Sequence, residues 1–438
     1  MKPRALSLKA APPKLSTGQG WRGGWRDGVA YGALGLPLAF VALPLYVVLP
    51  AHYAQQFGVP LAWLGALLLA VRVLDAAVDP WIGGLCDRVF TQAPQWLLPL
   101  AGAAALLLAL AFQALFFPPV THLPSLLAWC AAALSLTYLA YSLLAILHQA
   151  WGARLGGTAA QRASIVSWRE AFALAGVVLA SVLATGVGAA ATATALSLGL
   201  VLGLAALHRA PRAAPRRAAP GGELPMRAAL RNPSFRRLLA VFVVNGLASA
   251  MPATLVLFFA RDRLQAAAWE PLFLAGYFLA AALAMPLWLR AVRRWGLSRC
   301  WLAGMALAVL AFAWAALLGP GDAGAFLAVC VASGMSLGAD LSLPGALLAG
   351  VIRRAGHGGR AEGSYFGWWN AAAKLNLALA AGIALPLLGL FGYAPGSRDA
   401  AALDALMWAY CLLPCGLKLA AAALLVVLWL RSPEGANE

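Results

Sequence analysis

Charge is scarce in this 438-residue chain: Asp, Glu, Lys and Arg make up 11% of it, while 63% of residues are hydrophobic. With a mean hydropathy of +0.80, that shortage excludes a soluble domain and describes a polytopic membrane protein. Histidine is scarcer still. Its five copies are dispersed at positions 52, 122, 148, 208 and 357, and no HExxH, GxSxG or Cys/His metal spacing appears. That absence argues against an enzyme built on zinc or on a serine nucleophile. Cysteine is limited to Cys86, Cys130, Cys300, Cys330, Cys411 and Cys415, each set singly in or beside an apolar run. They make neither a disulfide framework nor a zinc pattern. Carboxylates are outnumbered, 15 against 32 Lys and Arg, for a net charge of +17. In a soluble protein that excess would suggest nucleic acid; here the position of each charge relative to the apolar runs carries the meaning, and no nucleic-acid partner is expected.

Long apolar sequence is what the chain has in abundance. A window of ~20 residues finds twelve candidate spans, near 28–50, 61–86, 96–117, 124–149, 166–188 and 190–207, then 237–260, 268–290, 299–319, 324–352, 365–393 and 404–431. The expectation is an all-α polytopic membrane protein in two pseudo-symmetric six-helix bundles, 28–207 and 237–431. Between them, 208–236 is rich in Pro, Ala and Arg and has no core to bury, so it reads as a flexible basic linker. The apolar residues of the first 24 positions are too scattered for a signal-peptide core, so 1–27 reads as a cytoplasmic tail, as does 432–438. With the N-terminus inside, the tails and even-numbered loops hold roughly 25 of the 32 basic residues and the odd-numbered loops roughly three. Both termini are therefore expected on the cytoplasmic side of an inner or plasma membrane, with a monomer as the expected state. Two halves joined by a long cytoplasmic loop are the organisation of a secondary transporter with a central site.

One stretch breaks the apolar pattern: Arg72-Val-Leu-Asp75-Ala-Ala-Val-Asp79-Pro80, in the middle of the second span. On a helix these charges fall at i, i+3 and i+7, on one face, with Asp75 ~20 Å from the start of the span. Ionisable groups at that depth are expensive and face a bundle interior or a water-filled path, where they mark an ion or substrate site. A structural Arg–Asp pair tying helices together is the alternative. The other polar residues within spans include Arg169 and Glu170 in the fifth, Asn245 in the seventh, Asp340 in the tenth, Lys374 in the eleventh and Lys418 in the twelfth.

Gly83-Gly-Leu-Cys-Asp87-Arg88 resembles the G-x-L-x-D-R signature that major facilitator superfamily proteins carry between their second and third helices, without the basic residues that normally follow. The resemblance implies the superfamily fold and a cytoplasmic gate at Asp87 and Arg88. R-x-x-D-A-x-x-D-P is more specific: it is similar to the glycoside–pentoside–hexuronide:cation symporter family. Tyr31-Gly32, Trp168-Arg169-Glu170, Asn245 and Lys374 extend the likeness along most of the chain. That resemblance implies a symporter of a glycoside or another small organic solute, with Asp75 and Asp79 as the coupling-cation site and no cofactor. Arg72, Arg169 and Lys374 are then charge partners, with Glu170, Asn245 and Asp340 in the substrate region. Two carboxylates a turn apart suit Na⁺, a hard cation that takes several oxygens. They also suit H⁺, because two like charges in a low-dielectric cavity oppose joint ionisation. The sequence leaves Na⁺ and H⁺ open.

Departures from the pattern weaken a galactoside reading. Ala39 and Leu147 stand where relatives place acidic residues of the sugar site, and the tenth span exits as Ala349-Gly-Val-Ile-Arg353-Arg354 where relatives often carry carboxylates. Transport or scrambling of an amphipathic lipid such as a lysophospholipid is the alternative.

Overall fold

The structure is a computed structural model that describes residues 21–186, 188–212, 224–393 and 396–431. Most of the expected N-terminal tail (1–20), the middle of the linker (213–223) and the expected C-terminal tail (432–438) lie outside the described residues. Among the described residues the regular structure is helical throughout. In hydrocarbon every backbone N–H and C=O must find a partner within its own segment, and a helix supplies one.

The first run is broken into α1 (Trp25–Gly32), α2 (Gly35–Phe40), a π turn at Pro44–Val48 and α3 (Leu49–Phe57). Pro37, Pro44 and Pro50 remove N–H donors along it, which is enough to interrupt regular hydrogen bonding. The N-terminal helices continue as α4 (Leu61–Gln92), α5 (Leu97–Phe116), α6 (Leu123–Leu155), α7 (Ala159–Gly186) and α8 (Ala189–His208). After the linker come the short α9 (Ala228–Arg231), then α10 (Pro233–Phe258), α11 (Glu270–Trp295), α12 (Leu297–Ala315), α13 (Ala323–Arg354) and α14 (Glu362–Leu390). The last run joins α15 (Ala400–Met407) and α16 (Leu413–Leu425) through a π turn at Trp408–Leu412. Among the described residues nine helical runs are long and apolar enough to cross a membrane. The expected first, second and eleventh spans fall on α1–α3, α4 and α14.

Only 28% of the most apolar window of Ala267–Trp295 and 33% of that of Ala189–His208 is buried inside the protein. Leu202, Leu283 and Leu310 stand more than half exposed on the outer surface. Water would not tolerate so much exposed leucine; lipid does. The N-terminal helices meet the C-terminal ones along α4–α14 and α6–α14 on one side and along α7–α13 and α7–α11 on the other. These contacts are unequal at the two ends. The core of the N-terminal helices runs on into α13 and α14 near Leu347, Val351, Tyr365 and Phe366, at the end where the basic loops gather. At the opposite end the C-terminal helices have a separate core around Phe259, Phe326 and Tyr410.

Candidate functional site

The face of α4 that carries the charges turns inward: Asp75 is 7% exposed and Asp79 is fully buried. Glycine explains how closely α14 approaches it. A Cβ on Gly83 would collide with the Gly363 carbonyl, and one on Gly367 would sit 2.6 Å from the Asp79 carbonyl; such small residues let helix backbones touch. Two turns further along α14, Lys374 reaches the carboxylates. Its Nζ donates to Asp75 Oδ1, to Asp79 Oδ1 and to Ser142 Oγ on α6, each at 2.7 Å. An ammonium has three protons, so this tripod uses all of them. Ser142 Oγ in turn donates to Asp75 Oδ1 at 2.9 Å. Arg72 Nη1 lies 3.5 Å from Asp75 Oδ2, and its guanidinium sits over the Tyr138 ring.

One side-chain acceptor in this turn of helix is left over, and one carbonyl lacks its usual helical donor. Asp79 Oδ2 is buried with no hydrogen-bond partner among the described residues. Pro80 has no N–H, so the Ala76 carbonyl loses the donor that another residue at position 80 would supply. A buried acceptor without a donor is costly, and Asp79 Oδ2 belongs to a carboxylate that shares the Lys374 ammonium with Asp75 and the Ser142 hydroxyl. The set gathers oxygen acceptors of α4 and α6 around one buried ammonium.

The cluster forms one wall of a cavity of about 190 Å³ between the N- and C-terminal helices. Val41, Ala42 and Leu45 supply its apolar side; Arg72, Tyr138, Tyr141, Asn370 and Lys374 supply its polar side. Towards the basic end the cavity is closed by a reciprocal amide pair. Gln149 Nε2 donates to Asn370 Oδ1 at 3.3 Å and Asn370 Nδ2 donates to Gln149 Oε1 at 2.9 Å. Beyond it lies a much smaller space lined by Tyr31, Arg162, Arg169 and Phe366, among others. Arg162 crosses it to donate to the Ala346 carbonyl.

At the basic end itself Asp87 caps the start of α14. Its carboxylate accepts from Gly363 N, Ser364 N and Ser364 Oγ, each at 2.7 Å, where unsatisfied N–H groups and the helix dipole favour an anion. The guanidinium on this carboxylate comes from Arg154, 3.2 Å from Asp87 and 3.0 Å from Glu362. Arg88, expected as the gate partner, is exposed on the same turn of α4.

Of the residues expected at the site, the structure brings together Arg72, Asp75, Asp79 and Lys374, and places the others apart. Arg169 donates through Nε and Nη2 to Glu170 Oε1, because α7 packs tightly on the glycines of α1 and α2 and turns that pair towards Tyr31. Asn245 and Asp340 lie among the C-terminal helices. Asp340 accepts from Asn245 Nδ2 (3.0 Å), Trp301 Nε1 (2.9 Å), Ser249 Oγ (3.1 Å) and Lys418 Nζ (2.5 Å). Leu147 is fully buried in the core and outside the cavity wall. Sequence reasoning missed Arg154, Lys418 and the Gln149–Asn370 pair as partners. A signal for one of them was present: Tyr138, Ser142, Ala145 and Gln149 recur at i, i+4, i+7 and i+11, one face of α6.

Comparison with known proteins gives three findings. A family model described as MFS/sugar transport protein matches residues 29–431. The inner membrane symporter YicJ of Escherichia coli (strain K12) is 31% identical over 134 residues, covering 30% of this chain and 28% of that protein. A second protein of that organism, YagG, whose name describes a glycoside/cation symporter, is 26% identical over 159 residues, 36% of this chain and 34% of its own length. The chain thus matches about a third or less of each relative. Among solved structures, the outward-facing state of a bacterial homologue of the iron transporter ferroportin covers 94% of this chain and 100% of its own, with a TM-score of 0.67 and 16% identity. The human organic anion transporter MFSD10 (TM-score 0.66, 16% identity, 91% and 99% covered) and the transporter FucP in its outward conformation (TM-score 0.62, 13% identity, 89% and 98% covered) share the same fold.

Proposed function

The chain belongs to the MFS/sugar transport protein family, and from that premise we propose that it is a cation-coupled symporter of a small polar solute. Membership makes it a multi-pass membrane transporter and not an enzyme. The observation that carries the finer reading is the tripod of Lys374 on Asp75, Asp79 and Ser142, at the wall of a cavity between the two sets of helices.

Lys374 joins α14 to α4 and α6, so it couples occupancy of the carboxylates to the contact between N- and C-terminal helices. A cation entering at Asp79 Oδ2 and the Ala76 carbonyl weakens the hold of the carboxylates on Lys374. Freed, the ammonium turns into the cavity, and the α4–α14 seam loses one of its bonds. The positive-inside asymmetry makes the basic end cytoplasmic. On that assignment this state is closed inward by the amide pair and by the Asp87 cap, and the cavity belongs to the outward-facing half of an alternating-access cycle. The symporter names of the relatives support cation coupling and favour a solute over a lipid.

The test is uptake into proteoliposomes under imposed Na⁺ or H⁺ gradients. Replacing Asp79 by Asn, which keeps shape and removes the charge, is expected to abolish accumulation above equilibrium while leaving exchange across the membrane measurable. Undiminished accumulation in that variant would sink the coupling role.

A further inference from the structure

We propose that the outer face of the α11–α12 hairpin holds an anionic phospholipid of the leaflet at the basic end. Leu279, Leu283 and Leu287 of α11 are 60%, 66% and 49% exposed, so this face of the helix meets lipid. At 3.6 residues per turn the three leucines span an arc of about 80°, and Arg290 and Arg294, both exposed, fall inside the same arc. Arg290 lies ~16 Å beyond Leu279 along the axis, about half of a ~30 Å hydrocarbon core. The stripe is one acyl chain long and ends in guanidinium. Arg293 and Trp295 stand exposed beside it, and Arg299 is exposed in the first turn of α12, just past the bend at Gly296.

The protein itself does not answer these charges. Among the described residues none of the four guanidiniums makes a hydrogen bond or an ion pair. From 271 to 321 the chain holds no Asp or Glu, and Asp87 and Glu362, at the same end, are both taken by Arg154. Helix electrostatics accounts for a part only. Arg293 and Arg294 sit in the last turn of α11, where the helix dipole favours a cation, but Arg299 sits in the first turn of α12, where it opposes one. Orientation in the membrane explains the sign of the charges and not their place on the lipid-facing arc. The α4–α5 turn is the contrast: it spends Asp87 on the start of α14 and carries a single basic residue, Arg88. An anionic phospholipid meets every feature of the α11–α12 hairpin. Its phosphate offers acceptor oxygens to planar guanidinium forks, its glycerol lies at the level of an interfacial tryptophan, and its chain covers the leucines. A zwitterionic headgroup brings a cation of its own to the same arginines, and a soluble anion gains nothing from the stripe.

Thermal unfolding of the purified, delipidated full-length protein in a neutral detergent reads the binding. The probes are dioleoyl phosphatidylglycerol, dioleoyl phosphatidylcholine and potassium phosphate at matched concentrations, the last being the headgroup chemistry without chains. Phosphatidylglycerol should raise Tm to a plateau, and the other two should not. In Arg290→Gln/Arg294→Gln the half-saturating concentration should rise about tenfold or more, while Arg290→Lys/Arg294→Lys, which keeps the charge, should retain most of the affinity. Arg236→Gln/Arg237→Gln removes two exposed charges of α10 and should leave the response unchanged. Native mass spectrometry counts the lipids kept by the folded fraction, so it makes the same comparison whatever the variants do to stability. An equal rise with phosphatidylcholine, a rise with phosphate alone, a Gln variant that binds like the parent, or an equal loss in the α10 control would overturn the proposal; the last would mean a diffuse surface potential in place of a site. None of these readings involves transport, so the symporter reading stands or falls separately.

Discussion

Two lysines are buried among the described residues, and they do different work. Lys374 bridges helices from opposite ends of the sequence, while Lys418 stays among the C-terminal helices, on Asp340 and Asn245. In the proposed cycle the first lies where helices part; the second ties together α10, α12, α13 and α16, which no step of that cycle separates. Removing one member of a buried pair strands the other, at a cost of ~3–5 kcal/mol. Lys418→Met should therefore lower Tm by several degrees, and the double variant Lys418→Met/Asp340→Asn should recover most of the loss because no unpaired charge remains. Thermal unfolding in detergent measures both. At this scale the sequence was legible in part. Spacing alone places Arg72, Asp75 and Asp79 on one inward face, since a periodicity needs no partner to be read. Which cation meets them is a matter of helix packing: Arg169 has the right charge, but α7 turns it to Glu170 and Tyr31.

The helices themselves were the most readable level, because an apolar run of sufficient length has one stable form in hydrocarbon. The differences lie at their ends. α4 was expected to stop near 86 and continues to Gln92, α7 starts at Ala159 where 166 was expected, and α13 and α14 both reach further towards the basic end. Those extra turns are polar and are held by contacts between helices, which hydropathy does not register. Asp87 is the clearest case. Its motif was visible, but the four groups it binds come from α14 and α6, some 280 and 70 residues away. Asp87→Asn keeps the shape of the cap and removes the charge that Arg154 and the α14 dipole hold. We expect the basic end to open more often in this variant. Cys86, now fully buried one residue away, should then react with a maleimide several-fold faster, read by mass spectrometry at that cysteine. An unchanged rate would show that the cap does not hold the closure.

For the whole molecule, the asymmetry of the core is the central fact. The N- and C-terminal helices share one apolar core near the basic end and have separate cores at the other. A cysteine at Ala373, on the cavity wall, should therefore label from outside with a membrane-impermeant reagent. One at Ala349, which lines the small space beyond the amide pair and is 6% exposed, should be protected until coupling cation and solute are both supplied. Labelling of both positions alike would contradict the closed state. This asymmetry was illegible in the sequence, since apolar residues of equal hydropathy can face a partner helix or lipid. Only the pairing of α4 with α14 and of α7 with α11 and α13 decides which of them do.

The Lys374 tripod has one more consequence, in the arithmetic of competition. Its ammonium is a cation on a leash, present at the carboxylates at an effective concentration on the order of millimolar or above, however dilute the surroundings. A free cation wins the site only when its concentration, divided by its dissociation constant for the same oxygens, exceeds the corresponding ratio for the tethered rival. In the proposed cycle the length of one lysine side chain would set the cation concentration below which the inward end stays closed, and shortening it or removing its charge would let a weaker gradient turn the cycle.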